Sequence, residues 1–321
     1  MLAHYVYFGK AEGRLPRPKR KKVALPFRGI RKTLPTILFV VHEATRTGAP
    51  ILAWNLISLL RHRFNVVTIL LKDGPIEGSL KDVSSALVKL PAGPNEGGDD
   101  SSYLLGRIVA AYRPKYAIAN SVATRAVAVA LEELDVPVIS LVHEFSNDFL
   151  PIGTLHGLYL RVSKVVFSAE IVALASLKDY VALRTRKYLT VPQGLVKLPP
   201  PVFEDGEQVR SSREILKSID PEEFVVVGMG TVTFRKGVDL FISTAAELLR
   251  MRPKNRCRFI WVGHVFWFDE KYKAYLKQQI LNCDLEGRVV LMDEVTDLSP
   301  IYRRADAFLL SSRLDPLPNV A

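Results

Sequence analysis

The sequence predicts an α/β protein of two domains in series, each a parallel sheet covered by helices. Three observations predict it. Apolar runs of strand length alternate with amphipathic runs of helix length along most of the chain. A proline- and acid-rich break, opening at Leu198-Pro199-Pro200-Pro201, divides that pattern in two. The 321 residues, 48% hydrophobic and 24% charged, suffice for two cores and are too apolar for a disordered chain.

Residues 1–32 read as a basic linker with a short helical remnant at 4–13. The first domain, 33–198, opens on a buried strand at 36–41, a turn at 45–49 and a helix at 50–60. Pro50 suits that helix's first turn, and Ile51, Leu52, Leu56, Leu59 and Leu60 recur at helical spacing. Strand 65–71, helix 103–112, strand 116–119, helix 124–134 and strand 137–142 follow. Residues 96–102, with Gly97-Gly98-Asp99-Asp100, read as a solvated loop in preference to a metal site. Residues 199–221 form the hinge, which carries a short helix at 211–219.

The second domain, 222–321, restarts the pattern. Strand 224–227 leads through a turn at 228–237 into helix 238–250, whose inward stripe is Phe241, Ala245, Leu248 and Leu249. Strand 258–262, helix 272–282, strand 289–292, helix 298–305 and strand 307–310 complete it. Ligands of such sheets lie beyond the carboxyl ends of the strands. Four strands are two short of a six-stranded doubly wound sheet, and the chain stops at Ala321 where a helix is due. The expectation is a C-terminally truncated fragment with an incomplete second domain.

Composition excludes several classes. Cys257 and Cys283 are the only cysteines, too few for a disulfide framework or a Cys-rich metal site, and they suggest a reducing compartment. Apolar runs such as 37–41 and 136–142 fall far short of the ~18 residues of a membrane span. Residues 1–16 lack the apolar core of a secretory signal. The net charge of +11 is concentrated: residues 1–35 carry +9 and the remainder +2. A nucleic-acid partner is disfavoured because no binding motif accompanies that arm. A solvated linker and a peripheral contact with an anionic membrane through residues 1–35 remain as readings.

Two segments carry candidate chemistry. Gly228-Met229-Gly230-Thr231-Val232-Thr233-Phe234-Arg235-Lys236-Gly237 joins a strand to a helix. It is not a dinucleotide fingerprint, because Thr233 replaces the third glycine, and it is not a Walker A loop. It offers two glycines for close backbone approach and an Arg-Lys pair at a helix start, both suited to a pyrophosphate. Ser312-Arg313-Leu314-Asp315-Pro316-Leu317-Pro318-Asn319-Val320-Ala321 follows the last strand, with an acid at the strand end and a turn toward a helix start. The structural alternatives are a βα turn with surface cations and a helix-capping aspartate. His42-Glu43 and His143-Glu144 each follow a strand, but Arg46 and Asn147 occupy the positions where a zinc-binding pair would need a second histidine.

The ordered set Thr45–Ala49, Val142-His143-Glu144, Val191-Pro192-Gln193-Gly194, Gly230…Arg235-Lys236-Gly237, Trp261-Val262-Gly263 and Ser312…Asp315-Pro316-Leu317-Pro318-Asn319-Val320 resembles the retaining GT-B glycosyltransferases of family 4. The resemblance runs from about residue 36 to the end. It implies two Rossmann-like domains facing a cleft, with the acceptor site in the first and the nucleotide-sugar site mainly in the second. It implies sugar transfer with retention, a nucleotide-sugar donor as substrate, and no cofactor or obligatory metal. His4-Tyr5-Val6-Tyr7-Phe8-Gly9-Lys10-Ala11-Glu12-Gly13-Arg14 resembles a motif of bacterial surface-polysaccharide glycosyltransferases. It suggests a glycan or lipid-linked acceptor, sequence missing upstream, and a cytoplasmic enzyme peripheral to the inner membrane face.

The resemblance also assigns roles. Lys236 would neutralise the leaving diphosphate. Thr231 stands where the family usually has arginine, with Arg235 the nearest replacement. Asp315 would bind donor-sugar hydroxyls in place of the family's first glutamate. A second acid would fall at position 323, beyond the chain. Asn319 and Val320, with Pro318 before them, match a turn whose N–H groups face sugar and phosphates. Gly230 would let the backbone approach the donor, Gly48 would close over the diphosphate, and His143 would lie near the reacting sugar. Val295 would contact the base through its backbone, with a plain loop valine as the alternative. Two rival functions share these features: a GT-B nucleotide-sugar epimerase and a non-catalytic nucleotide-sugar-binding module.

Overall fold

The computed structural model describes residues 24–27, 29–90, 99–200, 215–265, 269–295 and 297–315. The segment expected as a helical remnant at 4–13, residues 201–214 of the expected hinge, and Pro318, Asn319 and Val320 lie outside them.

The first sheet has seven parallel strands: β1 (Thr36–Val41), β2 (Asn65–Leu70), β3 (Ala86–Lys89), β4 (Ala117–Asn120), β5 (Val138–Val142), β6 (Lys164–Phe167) and β7 (Tyr188–Thr190). Their spatial order is β3-β2-β1-β4-β5-β6-β7. The order reverses between β1 and β4, and a crevice opens at the carboxyl ends of strands flanking such a point. The described helices of this unit are α1 (Gly48–Leu60), α2 (Glu77–Val83), α3 (Asp99–Tyr112), α4 (Arg125–Glu132), α5 (His156–Arg161) and α6 (Glu170–Asp179).

Side-chain alternation along β1 explains the two layers. Ile37, Phe39 and Val41 share one core with Ala53 and Ile57 of α1 and Leu80 of α2. Leu38 and Val40 share the opposite core with Ile108 of α3 and Val127 and Leu131 of α4. A strand buried on both faces is mainly apolar, as β1 is from Ile37 to Val41; β2 buries Thr68 mid-strand, where it is hydrogen-bonded to Ser84 at 2.6 Å. The chain beyond β7 returns to α1, where the Asn55 side chain exchanges two hydrogen bonds with the Lys197 backbone, at 2.8 and 2.9 Å.

The second sheet is smaller. β8 (Phe224–Met229), β9 (Cys257–Val262), β10 (Val289–Met292) and β11 (Ala307–Phe308) run parallel in the order β10-β9-β8-β11. Its described helices are α7 (Val238–Met251), α8 (Glu270–Asn282) and α9 (Ser299–Arg304). Phe241, Ile242 and Ala245 of α7 form one core with Phe259 and Trp261, and Leu248 and Leu249 pack at its margin. Val225, Val227 and Met229 face the other core with Ile260, Val262 and Ile301. The missing side chain at Gly228 makes room for the Trp261 ring, which would lie 2.5 Å from a Cβ there. Gly228 is thus a packing position inside β8, not part of a phosphate-facing turn.

Three expectations change. Residues 96–102 are not wholly a loop, since α3 begins at Asp99. Acidic residues at a helix start are favourable, and the polar opening of α3 hid it. α1 begins at Gly48, inside the expected turn. Six elements went unread: α2 and β3, then α5, β6, α6 and β7 among residues 156–190. β3 and β7 have only four and three residues, too short for a periodic signal.

The loops after β8 and β9 touch at Gly263, where a Cβ would stand 1.8 Å from the Gly230 carbonyl oxygen. Gly263→Ala is therefore expected to destabilise the second unit by roughly 1–3 kcal/mol or more. Urea unfolding of the variant beside the parent measures it, and an unchanged midpoint would contradict the contact.

Candidate active site at the carboxyl ends of the two sheets

In the second unit the turn after β8 is a single 3₁₀ turn, Phe234–Lys236, closed by Gly237. Gly237 has φ +67°, the left-handed region, and a Cβ there would lie 2.1 Å from the Ser311 carbonyl oxygen. Only glycine meets both conditions. The turn aims Lys236 back across Gly230, where a Cβ would approach the lysine stem to 3.2 Å. Lys236 Nζ is bonded to Asp315 Oδ2, and both side chains are largely buried. Ser312 Oγ also donates to Asp315 Oδ2, at 3.2 Å. Arg235 is more exposed; its Nη1 donates to the Leu314 carbonyl at 2.7 Å and lies 3.9 Å from Asp315 Oδ1. The structure thus brings together three of the expected residues, Arg235, Lys236 and Asp315, beside Gly230.

Sequence reasoning missed the side chain that holds this arrangement. Arg313 makes a two-pronged ion pair with Asp239 of α7, at 2.8 and 2.7 Å. Its guanidinium lies 3.9 Å from the centre of the Phe234 ring. Its Nη1 also donates to the Phe234 carbonyl, and its backbone N–H donates to the Arg235 carbonyl, both at 2.8 Å. Tyr272 of α8 donates to the same aspartate at 2.9 Å. Burial, and then that bond, push the Tyr272 pKa up to about 12. Arg313 holds the Asp239 carboxyl below the usual aspartate range. An arginine directly before the Leu314-Asp315 pair was the available signal.

In the first unit His143 follows β5 and Asn120 ends β4. His143 Nε2 and Asn120 Oδ1 are 2.8 Å apart. Asn120 Nδ2 donates to the Ala49 carbonyl at 2.8 Å, in the first turn of α1 beside Gly48. No side chain caps the N-terminus of α1. Glu144 accepts from the Ser121 hydroxyl, and from the N–H groups of Val122 at 3.3 Å and His143 at 3.1 Å. Burial pushes the His143 pKa down and His42 adds to this, while Glu144 opposes it. The imidazole is therefore neutral near pH 7. His42 lies 3.6 Å from Glu43, and Thr45 donates to Glu43 at 2.8 Å, which together hold that carboxyl below its usual range.

Between the units, Arg46 of the first lies 4.0 Å from Glu294 of the second. Asp148, in the loop after β5, has its pKa raised by burial, with the Arg235 charge pulling the other way. Val295 follows β10, and its side chain is buried in the core with Met292 and Ile301. Its side chain therefore has a packing role.

Residues 212–321 match the family model described as Glycosyl transferases group 1. Over that stretch, about a third of its length, the chain is similar to the group 1 glycosyl transferases. Its curated relatives include the lipopolysaccharide core biosynthesis mannosyltransferase LpsB of Rhizobium meliloti, 27% identical over 136 residues, 40% of this chain and 37% of that one. Another is the mannosylfructose-phosphate synthase of Agrobacterium fabrum, 30% identical over 130 residues, 38% of this chain and 28% of that one. The match thus spans roughly a third of each relative's length. Among solved structures, Anabaena HepE in complex with UDP and glucose superposes with a TM-score of 0.70 at 19% identity, over 89% of this chain and 77% of that one. An E. coli trehalose-6-phosphate structure bound with UDP-2-fluoro glucose gives 0.59 at 14% identity, over 89% and 80%. The chain therefore has the GT-B fold, with the second sheet the smaller.

Arg313→Ala is expected to cost the second unit about 2–4 kcal/mol, from one charged hydrogen-bonded pair and one cation–π contact. The sign with pH follows from the depressed Asp239 pKa. The contribution is present above the ordinary aspartate pKa of ~3.9 and is lost as pH falls through the lower folded value. Denaturation midpoints of parent and variant should converge in acid; a gap that persists at the lowest pH would contradict this account.

Proposed function

We propose that this chain carries the donor site and much of the acceptor site of a retaining glycosyltransferase. It would move a hexosyl group from a nucleotide-sugar to a surface-polysaccharide or lipid-linked acceptor. The observation that carries the reading is the Lys236–Asp315 pair beside Gly230, at the carboxyl ends of adjacent strands in a GT-B fold. Lys236 and Arg235 would stabilise the charge that develops on the leaving diphosphate. Asp315 would hold the lysine and accept from sugar hydroxyls. The acceptor oxygen would bond to the anomeric carbon from the face that the diphosphate leaves, as retention requires. In this proposal Gly48 and the uncapped start of α1 line the diphosphate, Val295 offers its backbone to the base, and Asn319 and Val320, after Pro318, complete the donor turn.

HepE holds UDP and glucose, so UDP and UDP-glucose are the first probes. Lys236→Ala is expected to lower turnover by roughly 10²–10³ and to weaken UDP binding measured by calorimetry. Unchanged kinetics would remove Lys236 from the site. Turnover of the nucleotide-sugar to an epimer without any acceptor would replace the transferase reading by the epimerase one.

We also propose that the enzyme is cytoplasmic and peripheral to the inner membrane face, through the basic arm. Residues 1–35 carry +9, and each such charge gains about 1 kcal/mol near an anionic surface. Removing residues 1–32 should weaken salt-sensitive binding to phosphatidylglycerol vesicles and spare UDP binding. Equal vesicle binding by both forms would make the arm an inert linker.

A further inference from the structure

We propose that Asn120 is a positioning residue: it fixes His143 as the Nε2–H tautomer and so presents Nδ1 as a hydrogen-bond acceptor for a hydroxyl of the donor sugar. The second half rests on the transferase reading above; the first half does not.

The argument starts at Ala49. Its carbonyl oxygen sits 2.8 Å from one end of the fully buried Asn120 amide. That end must be the NH₂, because the flipped amide would set two carbonyl oxygens against each other without a proton between them. The other end, Oδ1, then faces His143 Nε2 at 2.8 Å. An amide oxygen only accepts, so Nε2 must carry the proton. A neutral imidazole with one protonated nitrogen has a lone pair on the other.

That other nitrogen, Nδ1, is buried and has no hydrogen-bond partner among the described residues. Its lone pair repels the oxygens of a phosphate and suits an O–H donor. The ring therefore selects for the sugar side of a nucleotide-sugar over its diphosphate. The groups that bear on the ring's charge are Glu144, which favours the charged form, and His42, which disfavours it along with burial. Glu144 is held by three donors of its own, the Ser121 hydroxyl and the N–H groups of Val122 and His143. Asn120 also ties the ring to the first turn of α1 through Ala49, so the orientation of His143 and the place of the Gly48 turn are set by one side chain.

The test uses the full 321-residue chain with ¹⁵N-labelled histidine, the His143 signals being assigned by their loss in His143→Gln. Two-bond proton–nitrogen spectra of the parent should show a protonated Nε2 and a lone-pair Nδ1 from pH 8 down through the ordinary histidine pKa of about 6.5. Asn120→Asp keeps the shape and replaces the neutral acceptor by a carboxylate. It should raise the His143 titration midpoint by at least about one pH unit, as an adjacent opposite charge does. It should also lower UDP-glucose turnover roughly 10–100-fold, with UDP affinity changed less than about threefold, since a buried acceptor then loses its fixed role.

A protonated Nδ1 in the parent would overturn the proposal, and so would a titration in Asn120→Asp like that of the parent. If Asn120→Asp does not fold, the parent spectrum alone decides the tautomer. A parent that neither binds nor turns over UDP-glucose, yet shows the expected tautomer, would undo the sugar assignment and leave the positioning role standing. Perturbation of Nδ1 by UDP alone would place the ring against the diphosphate and overturn the hydroxyl assignment.

Discussion

The parallel pairing of β11 with β8 is the constraint on which the second site depends. It sets Ala307 beside Val226 and Phe308 beside Val227, and so delivers two segments 79 residues apart to the same edge. The β11 strand has only two residues, too few to hold a register by ladder bonds alone. Arg313 supplies the rest. Its backbone N–H continues toward Arg235, and its side chain is bound on one side by Asp239 and on another by the Phe234 ring and carbonyl. With that clamp in place, Asp315 has little choice but to meet Lys236.

The two halves of the candidate site differ in charge for a physical reason. In the second unit the groups are ionic. Lys236 and Asp315 are mostly withdrawn from water, and a charge so placed is tolerable only with a partner. Removing Asp315 takes from Lys236 its ion-pair partner, whereas removing Lys236 leaves Asp315 with Ser312 and the more exposed Arg235. In the first unit the groups at the crevice are neutral or internally satisfied: Asn120, a neutral His143, and a Glu144 enclosed by three donors. Cations suit a diphosphate, and a neutral acceptor suits a hydroxyl. The cations around Asp315 thus support the proposed diphosphate contact, and the neutral ring of His143 the proposed sugar contact.

Much of this was legible in the sequence where length and periodicity carry information. β1 is a run of apolar residues on both faces, and α7 shows its stripe of Phe241 and Ala245. Lys236 was visible because a cation after a glycine turn has a chemical meaning. What was hidden has a common cause. β3, β7 and α5 are too short to show a period, and α6 mixes buried Val172 and Ala173 with exposed Ile171 and Leu174. Asn120 and Arg313 act through partners 71 and 74 residues away. No spacing along the chain encodes such pairs; only the strand order does. Gly228 shows the reverse error, a glycine in a motif that serves a tryptophan ring.

The carboxylates at the crevice can be sorted by what already occupies them. Glu43 is held by His42 and Thr45, Glu144 by the β4 and β5 loops, and Asp315 by Lys236 and Ser312. Each has its lone pairs committed to fixed donors, and the lowered value at Glu43 reflects this. Asp148 is the contrast. Burial raises its pKa, even though Arg235 opposes the shift from the second unit. The cation whose charge bears on it, Arg235, belongs to the second unit. Asp148 thus links the electrostatics of the two units, five residues beyond His143 along the chain.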